Sequence, residues 1–343
     1  MGTVKIKLPS RTRLFHYLFR PLTIAYATTS MVLLFNFHWS VDTYEYQLPS
    51  VILRSPNHQD DKIKVYAPSN STVNVAICVV VKQETRYIDE WVDFHVALGF
   101  APIYIYDNSP DFELWTWLQH REDLQQYVVL IPIPIQPVQL VAYDQCIKSD
   151  AKDNTFVGLF DVDEFLVLKK HDNIVDFMNE YCNASCGQLK INWNMMGNSN
   201  ETHYKPLPVL KRFVHSSGVM GFVKVIVRPD YAADKLQYLH SIQLKKGKTV
   251  DTSGKSVTNS GWRRQANNDG PEDSALFYHY KFKSLEEYEI KNCRRGHALD
   301  AGRAERHNCG KDLSLDFARN GTKFDNTAWM QLKRMVPKYT MFD

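Results

Sequence analysis

Acidic residues are missing from the first 20 positions, which carry Lys5, Lys7, Arg11, Arg13 and Arg20, and from Pro21 through Val41 no Asp, Glu, Lys or Arg occurs at all. Glycine and proline are modest, 15 of each in 343 residues. No Gly-rich, Gln-rich or Pro-repeat tract is present and no internal repeat, so low-complexity and solenoid architectures are excluded. Net charge is only +3, which gives no signal for a nucleic-acid partner. Six cysteines stand without pair-of-pairs spacing to histidines, which argues against a zinc site.

What is present begins at the N-terminus. A basic flank, an uncharged stretch with Ile24, Met31, Val32, Leu33, Leu34 and Phe35, and then Asp42 and Glu45 form the pattern of a single-pass signal anchor. It predicts a cytosolic tail over 1–20, a transmembrane helix over 21–41 and a lumenal remainder. A cleaved signal peptide is the rival reading. Residues 42–70, with Pro49, Pro56 and Pro68, read as a stem. Four Asn-x-Ser/Thr sequons, at Asn70, Asn183, Asn200 and Asn320, all follow the span and agree with a lumenal chain. In an oxidising lumen, Cys182 with Cys186 and Cys293 with Cys309 are close enough in sequence to pair, while Cys78 and Cys146 are expected as buried free thiols.

After residue 70, strand and helix patterns alternate. Val73–Val81 is a continuous apolar run, the mark of a strand buried on both faces. Tyr87–Leu98 places Ile88, Trp91, Val92, His95 and Leu98 on one helical face, ended by Gly99. Strands over Pro102–Tyr106, Val128–Ile133 and Thr155–Phe160, with helices over Phe112–His120 and Gln139–Lys148, complete an α/β pattern that predicts a mainly parallel, doubly wound sheet. The second half reads differently: Leu189–Trp193, Val209–Val214, Gly221–Arg228 and Leu236–Leu244 are expected as strands of a mixed or antiparallel sheet, followed by a strand over Leu276–Phe282. Ser284-Leu285-Glu286-Glu287 is a capping box opening a helix through Asn292. The last 40 residues show little periodicity.

The most informative stretch is Val157-Gly158-Leu159-Phe160-Asp161-Val162-Asp163-Glu164-Phe165. An Asp-x-Asp at the end of an apolar strand presents hard oxygen ligands suited to Mg²⁺ or Mn²⁺, which hold a diphosphate. Equally, two acids can simply end a strand and start a turn. In an open parallel sheet the strand ends line one crevice, so Lys82 and Glu84, Asp107 and Asn108, and Asp161 and Asp163 should share a rim. The plain alternatives are an ordinary turn at Asp107-Asn108 and a surface ion pair at Lys82 and Glu84.

Residues 75–297 also carry an ordered series: Ala76-Ile77-Cys78-Val79-Val80-Val81-Lys82-Gln83-Glu84, Tyr87-Ile88-Asp89-Glu90-Trp91-Val92, His95-Val96-Ala97-Leu98-Gly99-Phe100 and Ile105-Tyr106-Asp107-Asn108. It continues through Gln139, Ala142-Tyr143, Cys146 and Phe160–Phe165 to Asn192-Trp193, Gly197, Val227-Arg228-Pro229, His279-Tyr280, Lys283-Ser284, Glu286-Glu287 and Arg295-Gly296. In this order and spacing the chain resembles glycosyltransferase family 92 and related GT-A glycosyltransferases. The resemblance implies a GT-A fold over residues 71–300, with 301–343 as a C-terminal extension, a Golgi membrane location and Mn²⁺ or Mg²⁺ as cofactor. It implies transfer of a hexose, galactose among the candidates, from a UDP-linked sugar to a glycan or glycoconjugate hydroxyl with inversion.

By the same resemblance Asp163 is the principal metal ligand, with Asp161 and His279 beside it, and Asp161 an alternative ribose contact. Lys82, Glu84, Asp107, Asn108, Gln139, Asp161, Lys283 and Arg295 are expected at the donor, with Arg294 also available to diphosphate oxygens. Glu201, with Asp273 behind it, is the expected catalytic base; it lies inside the Asn200 sequon, where a glycan would argue against such a role. The plain alternative for His279 is a satisfied structural histidine, and for Lys283, Arg294 and Arg295 a solvated basic helix end. Two departures from the family pattern stand out, Gln83 where Asn is usual and Phe156 where Trp is common. Two other classes compete: a metal-dependent phosphotransferase, which would carry its Asp-x-Asp on the first strand, and a non-catalytic carbohydrate-binding relative.

Overall fold

Runs of β-branched and aliphatic residues make the first strands, and the computed structural model of the protein describes residues 73–135, 137–257, 266–295 and 319–343. The expected tail, anchor and stem at 1–20, 21–41 and 42–70 lie outside the described residues. Among the described residues no helix is long and apolar enough to cross a membrane. In chain order the first half comprises β1 (Val75–Val81), α1 (Thr85–Ala97), β2 (Ile103–Asp107), α2 (Leu114–Gln119), β3 (Val128–Pro132), α3 (Gln139–Gln145) and β4 (Phe156–Phe160). Strand β1 is buried at every position and pairs in parallel with β2 and β4, while β2 pairs in parallel with β3.

The two faces of β1 are covered by different helices, which is what a central parallel strand requires. Val75, Ile77 and Val79 belong to the cluster containing Trp91, Val92 and Phe94 of α1. Ala76, Cys78 and Val80 belong to the one containing Ala142, Tyr143 and Cys146. This double winding joins two cysteines expected as free thiols: Cys78 and Cys146 form a disulfide across 68 residues. The even face of β1 meets the end of α3, a proximity that sequence distance hides. Cys182–Cys186 is bonded as expected. Cys293 is also disulfide-bonded; its expected partner Cys309 lies outside the described residues.

The second half comprises β5 (Glu164–Leu168), α4 (Ile174–Tyr181), β6 (Cys186–Met196), α5 (Val209–Arg212), β7 (His215–Val227), β8 (Lys248–Asp251), β9 (Ala275–His279), α6 (Leu285–Glu289), β10 (Lys323–Phe324) and α7 (Thr327–Met335). The strands continue the same sheet in the order β3-β2-β1-β4-β7-β6-β9-β5. Pairing is antiparallel for β4 with β7, β6 with β7 and β5 with β9, and parallel for β6 with β9. The fold is of the expected α/β class, parallel in its first half and mixed in its second.

Three local expectations change. Val209–Val214 is not a strand but the short helix α5 and its exit, because both carboxylate oxygens of buried Glu90 accept the N–H groups of Val209 (2.7 Å) and Leu210 (3.0 Å). Leu236–Leu244 makes no strand; the buried Gln188 side chain binds both backbone groups of Ile242, at 2.7 and 3.0 Å, replacing a strand neighbour. The C-terminal residues do have structure: α7 buries Trp329, Leu332 and Met335 in the cluster of α1 and β5, and Tyr339 donates to Asp93 at 2.8 Å. The capping box at Ser284 and Glu287 forms as expected.

Candidate active site

The rim where β1, β2 and β4 end is built as parallel pairing dictates. Register places Val81 beside Asp107 and Val79 beside Phe160, so Lys82, Asn108 and Asp161 follow at one edge. Asp161 is held from both sides. Its Oδ1 accepts from Gln139 Nε2 at 2.7 Å and from the Tyr143 hydroxyl at 3.3 Å, and its Oδ2 accepts from Lys224 Nζ at 2.7 Å. Lys224, fully buried on β7, also lies 3.1 Å from Glu164 Oε2, which accepts the Asp161 N–H at 2.9 Å. Burial works to raise the Asp161 pKa, but the Lys224 ammonium outweighs it and holds it below the ordinary range. For Glu164 burial wins, pushing its pKa well up.

Asp163 ends the turn between β4 and β5 and is 2 % exposed. Antiparallel pairing of β5 with β9 sets Glu164 opposite His279, and the Asp163 carbonyl accepts from Tyr280 N at 2.8 Å. His279 Nε2 therefore stands 3.7 Å from Asp163 Oδ1, while Lys291 Nζ is bonded to Asp163 Oδ2. Burial opposes ionisation of Asp163, yet Lys291, His279 and Lys283 hold its pKa well below the usual carboxylate range. Burial lowers the His279 pKa despite Asp163, so its imidazole is neutral at ordinary pH.

On the Lys291 side opens a cleft of about 450 Å³, lined by Arg86, Lys281, Lys283, Lys291, Arg294 and Arg295 together with Glu84, Glu113 and Glu287. Two of these acids are already neutralised: Glu84 pairs with Arg295 at 2.6 Å, and Glu287 accepts two bonds from Arg212 at 2.7 and 2.8 Å. The balance of the walls is cationic, so the cleft suits an anion such as a diphosphate. Lys283 is 4 % exposed, stacks 4.4 Å from the Tyr87 ring, and has its pKa lowered by burial. Gln83 and Lys283, both on this cleft, adopt left-handed backbone with φ of 52° and 47°. Asn tolerates that region better than Gln, which gives the departure at position 83 a physical meaning: the chain keeps an unfavourable backbone there. Strain of this kind gathers at ligand sites.

The other expected residues fall as follows. Asp107 Oδ1 accepts from Ser109 N at 2.9 Å, and its buried Oδ2 has no partner among the described residues; burial raises its pKa. Asn108 donates to the carbonyls of Ile133 (2.6 Å) and Ile135 (3.0 Å), and the Lys82 carbonyl accepts from Arg295. Glu201 pairs with Lys205 at 2.7 Å and its carbonyl accepts from Leu285 N at 3.1 Å. It thus lies against the start of α6, next to Lys283, and among the described residues no contact joins it to Asp163. Asp273 is not brought to the cluster: it is exposed, pairs with Lys170 and precedes β9 at the end opposite His279. Sequence reading passed over Lys224, Lys291 and His240. The signal for Lys224 was its place inside the apolar run Val223–Val227.

Among the described residues no three His, Cys, Asp or Glu side chains are grouped as a full ligand set. Both Asp161 oxygens are engaged, which leaves Asp163 Oδ1 and His279 Nε2 facing each other. One carboxylate oxygen and one neutral imidazole nitrogen are donor types that would suit a Mn²⁺-type ion, two of the ligands it would need.

A protein of glycosyltransferase family 92 from Oryza sativa subsp. japonica is 22% identical over 220 residues, 64% of this chain and 35% of its own length. One from Ricinus communis is 24% identical over 244 residues, 68% of this chain and 39% of its own. The chain thus spans little more than a third of these curated relatives. Among solved structures, residues 1–349 of S. aureus TarS match with TM-score 0.32 and 12% identity, covering 48% of this chain and 52% of that one. Mannosyltransferase PcManGT from Pyrobaculum calidifontis, in complex with GDP-Man and Mn²⁺, matches with TM-score 0.30 and 15% identity over 38% of this chain and 39% of that one; values this low carry no function across. The description Glycosyltransferase family 92 matches residues 71–297, more than half of the chain, and the chain belongs to that family.

Proposed function

We propose that the protein is a lumenal glycosyltransferase that moves a hexose from a nucleotide sugar, UDP-linked, to a hydroxyl of a glycan or glycoconjugate with inversion. The observation that carries this is the adjacency of Asp163 to the basic cleft through Lys291. Lys283, Lys291 and Arg295 line the place where the diphosphate would lie, and cations fixed beforehand stabilise a departing diphosphate without reorganisation. Asp107, with one buried acceptor oxygen unpartnered among the described residues, would meet a base N–H. Asp163 and His279 would hold a divalent ion, which when bound neutralises charge on the leaving group. Lys224 and Gln139 keep Asp161 in one rotamer beside it. Glu201 remains the proposed general base, taking the proton from the attacking hydroxyl.

Thermal shift with a panel of nucleotide sugars and Mn²⁺ tests the donor: a ligand of the native state raises Tm by mass action. No shift with any nucleotide sugar would overturn the proposal. The Golgi membrane location, anchored through 21–41, is part of the same proposal. Carbonate extraction of sealed microsomes checks it, and release of the protein would contradict it.

A further inference from the structure

On the other side of Asp163 from the basic cleft, the site continues into a group of rings. His279 packs its ring 4.3 Å from Trp193, which lies 5.3 Å from Phe222 and 5.2 Å from His240. Phe222 is 42% exposed, although it sits in β7 immediately before a fully buried run. A single exposed phenylalanine is ordinary. Here it extends a buried aromatic cluster to solvent, beside the residues that face Asp163.

The polar atoms of this cluster are incomplete. Trp193 Nε1 and His279 Nδ1 are both buried and have no hydrogen-bond partner among the described residues. Trp193 and His279 are 7% and 6% exposed. A buried donor without a partner costs roughly 1–3 kcal/mol, and such groups in a native structure call for an explanation. An apolar ring surface with a few unmet polar groups is the usual composition of a small-molecule subsite.

We propose that Trp193, Phe222 and His240 form a subsite for a pyranose ring of the acceptor, next to His279. A pyranose has one face rich in C–H bonds, which carry slight positive charge and pack on the negative face of an aromatic ring. Its rim of hydroxyls supplies acceptors for the Trp193 N–H and a partner for His279 Nδ1. The order of groups along the site gives the assignment to acceptor. Lys291 and the cationic cleft lie on the Oδ2 side of Asp163, and His279 and Trp193 on the Oδ1 side. A donor whose diphosphate occupies the cleft brings its anomeric carbon toward Asp163, which leaves the aromatic side for the attacking sugar. This assignment rests on the glycosyltransferase reading, whereas pyranose binding by the rings does not.

Saturation-transfer NMR with methyl β-D-galactopyranoside, methyl β-D-glucopyranoside and methyl α-D-mannopyranoside tests it, with UDP affinity measured by calorimetry on the same samples. Ring C–H signals of at least one glycoside should be saturated by the wild-type protein. Phe222→Ala, at an exposed position that folding tolerates, should weaken that glycoside about tenfold, and Phe222→Trp should restore it. UDP affinity should be the same in all three proteins. Absence of saturation with every glycoside, or equal saturation by Phe222→Ala, would overturn the subsite. Parallel loss of UDP binding in Phe222→Ala would place the ring at the donor and overturn the assignment to acceptor. If the wild type binds a glycoside through Phe222 but no nucleotide or nucleotide sugar, the donor reading fails and pyranose binding stands.

Discussion

Lys291 is bonded to Asp163, 128 residues away in the chain, and this ion pair joins the carboxylate motif at the end of β4 to the basic cleft beside α6. The pair is made possible by the β5–β9 register, which fixes Asp163, and by the capping box at Ser284, which sets the direction of α6 and of Lys291 beyond it.

Asp163→Ala should abolish transfer and metal-dependent nucleotide-sugar binding while the domain stays folded. Asp163→Asn should fail as well, because it keeps shape and loses charge. Turnover by either variant above about a tenth of wild type, roughly 1.4 kcal/mol on the barrier, would remove Asp163 from the reaction.

Lys224→Met leaves the acids at 161 and 164 facing each other without their shared cation. Breaking a buried pair in this way destabilises by roughly 3–5 kcal/mol. Combining it with Glu164→Gln removes one of the stranded acids and should recover part of the loss. Urea unfolding of the two variants measures both; a double variant no more stable than Lys224→Met would contradict the triad.

Glu90 predicts a pH dependence of stability. Burial raises its pKa from 4.5 to about 7. For an acid whose folded value is raised, its contribution is fully present below the unfolded value and is lost as pH rises through the folded one. Between about 4.5 and 7 that loss amounts to roughly 3 kcal/mol at most, at 1.36 kcal/mol per unit. Unfolding free energies of wild type and Glu90→Gln across this window should diverge with pH, the wild type losing the more. Parallel curves would show that Glu90 does not titrate there.

His279→Ala should raise the half-saturating Mn²⁺ concentration by about tenfold or more and leave metal-free nucleotide affinity unchanged. A variant that only lowers stability, with the Mn²⁺ dependence of the surviving activity as before, would make His279 a core residue.

What could be read in the sequence divides by the range of the interaction that decides it. Strands β1 to β4 were legible because a buried parallel strand is apolar at nearly every position, as Val75–Val81 is. The place of the Asp-x-Asp at a strand end was legible because the apolar run over 157–160 stops at Asp161. Helix α5 was not, since its N–H groups are met by Glu90 from 119 residues away, and nothing within Val209–Val214 records that. Strand β5 begins immediately after the motif, whose residues 161–163 themselves make the connection from β4, so Glu164-Phe165 reads as part of the motif. The Cys78–Cys146 bond and the reach of Lys224 and Lys291 to the acids likewise depend on which strands become neighbours. In the site, residue types on the rim were predictable, but which cation meets which carboxylate was not.

Calorimetric titration of UDP and of uridine into wild type and Lys283→Met tests the central claim, that the cleft beside Asp163 holds the diphosphate of a nucleotide sugar. UDP should bind the wild type at least about tenfold more tightly than uridine, a difference of 1.4 kcal/mol, and Lys283→Met should narrow that gap while uridine affinity stays the same. Equal affinities for UDP and uridine in the wild type, or a gap untouched by Lys283→Met, would contradict it.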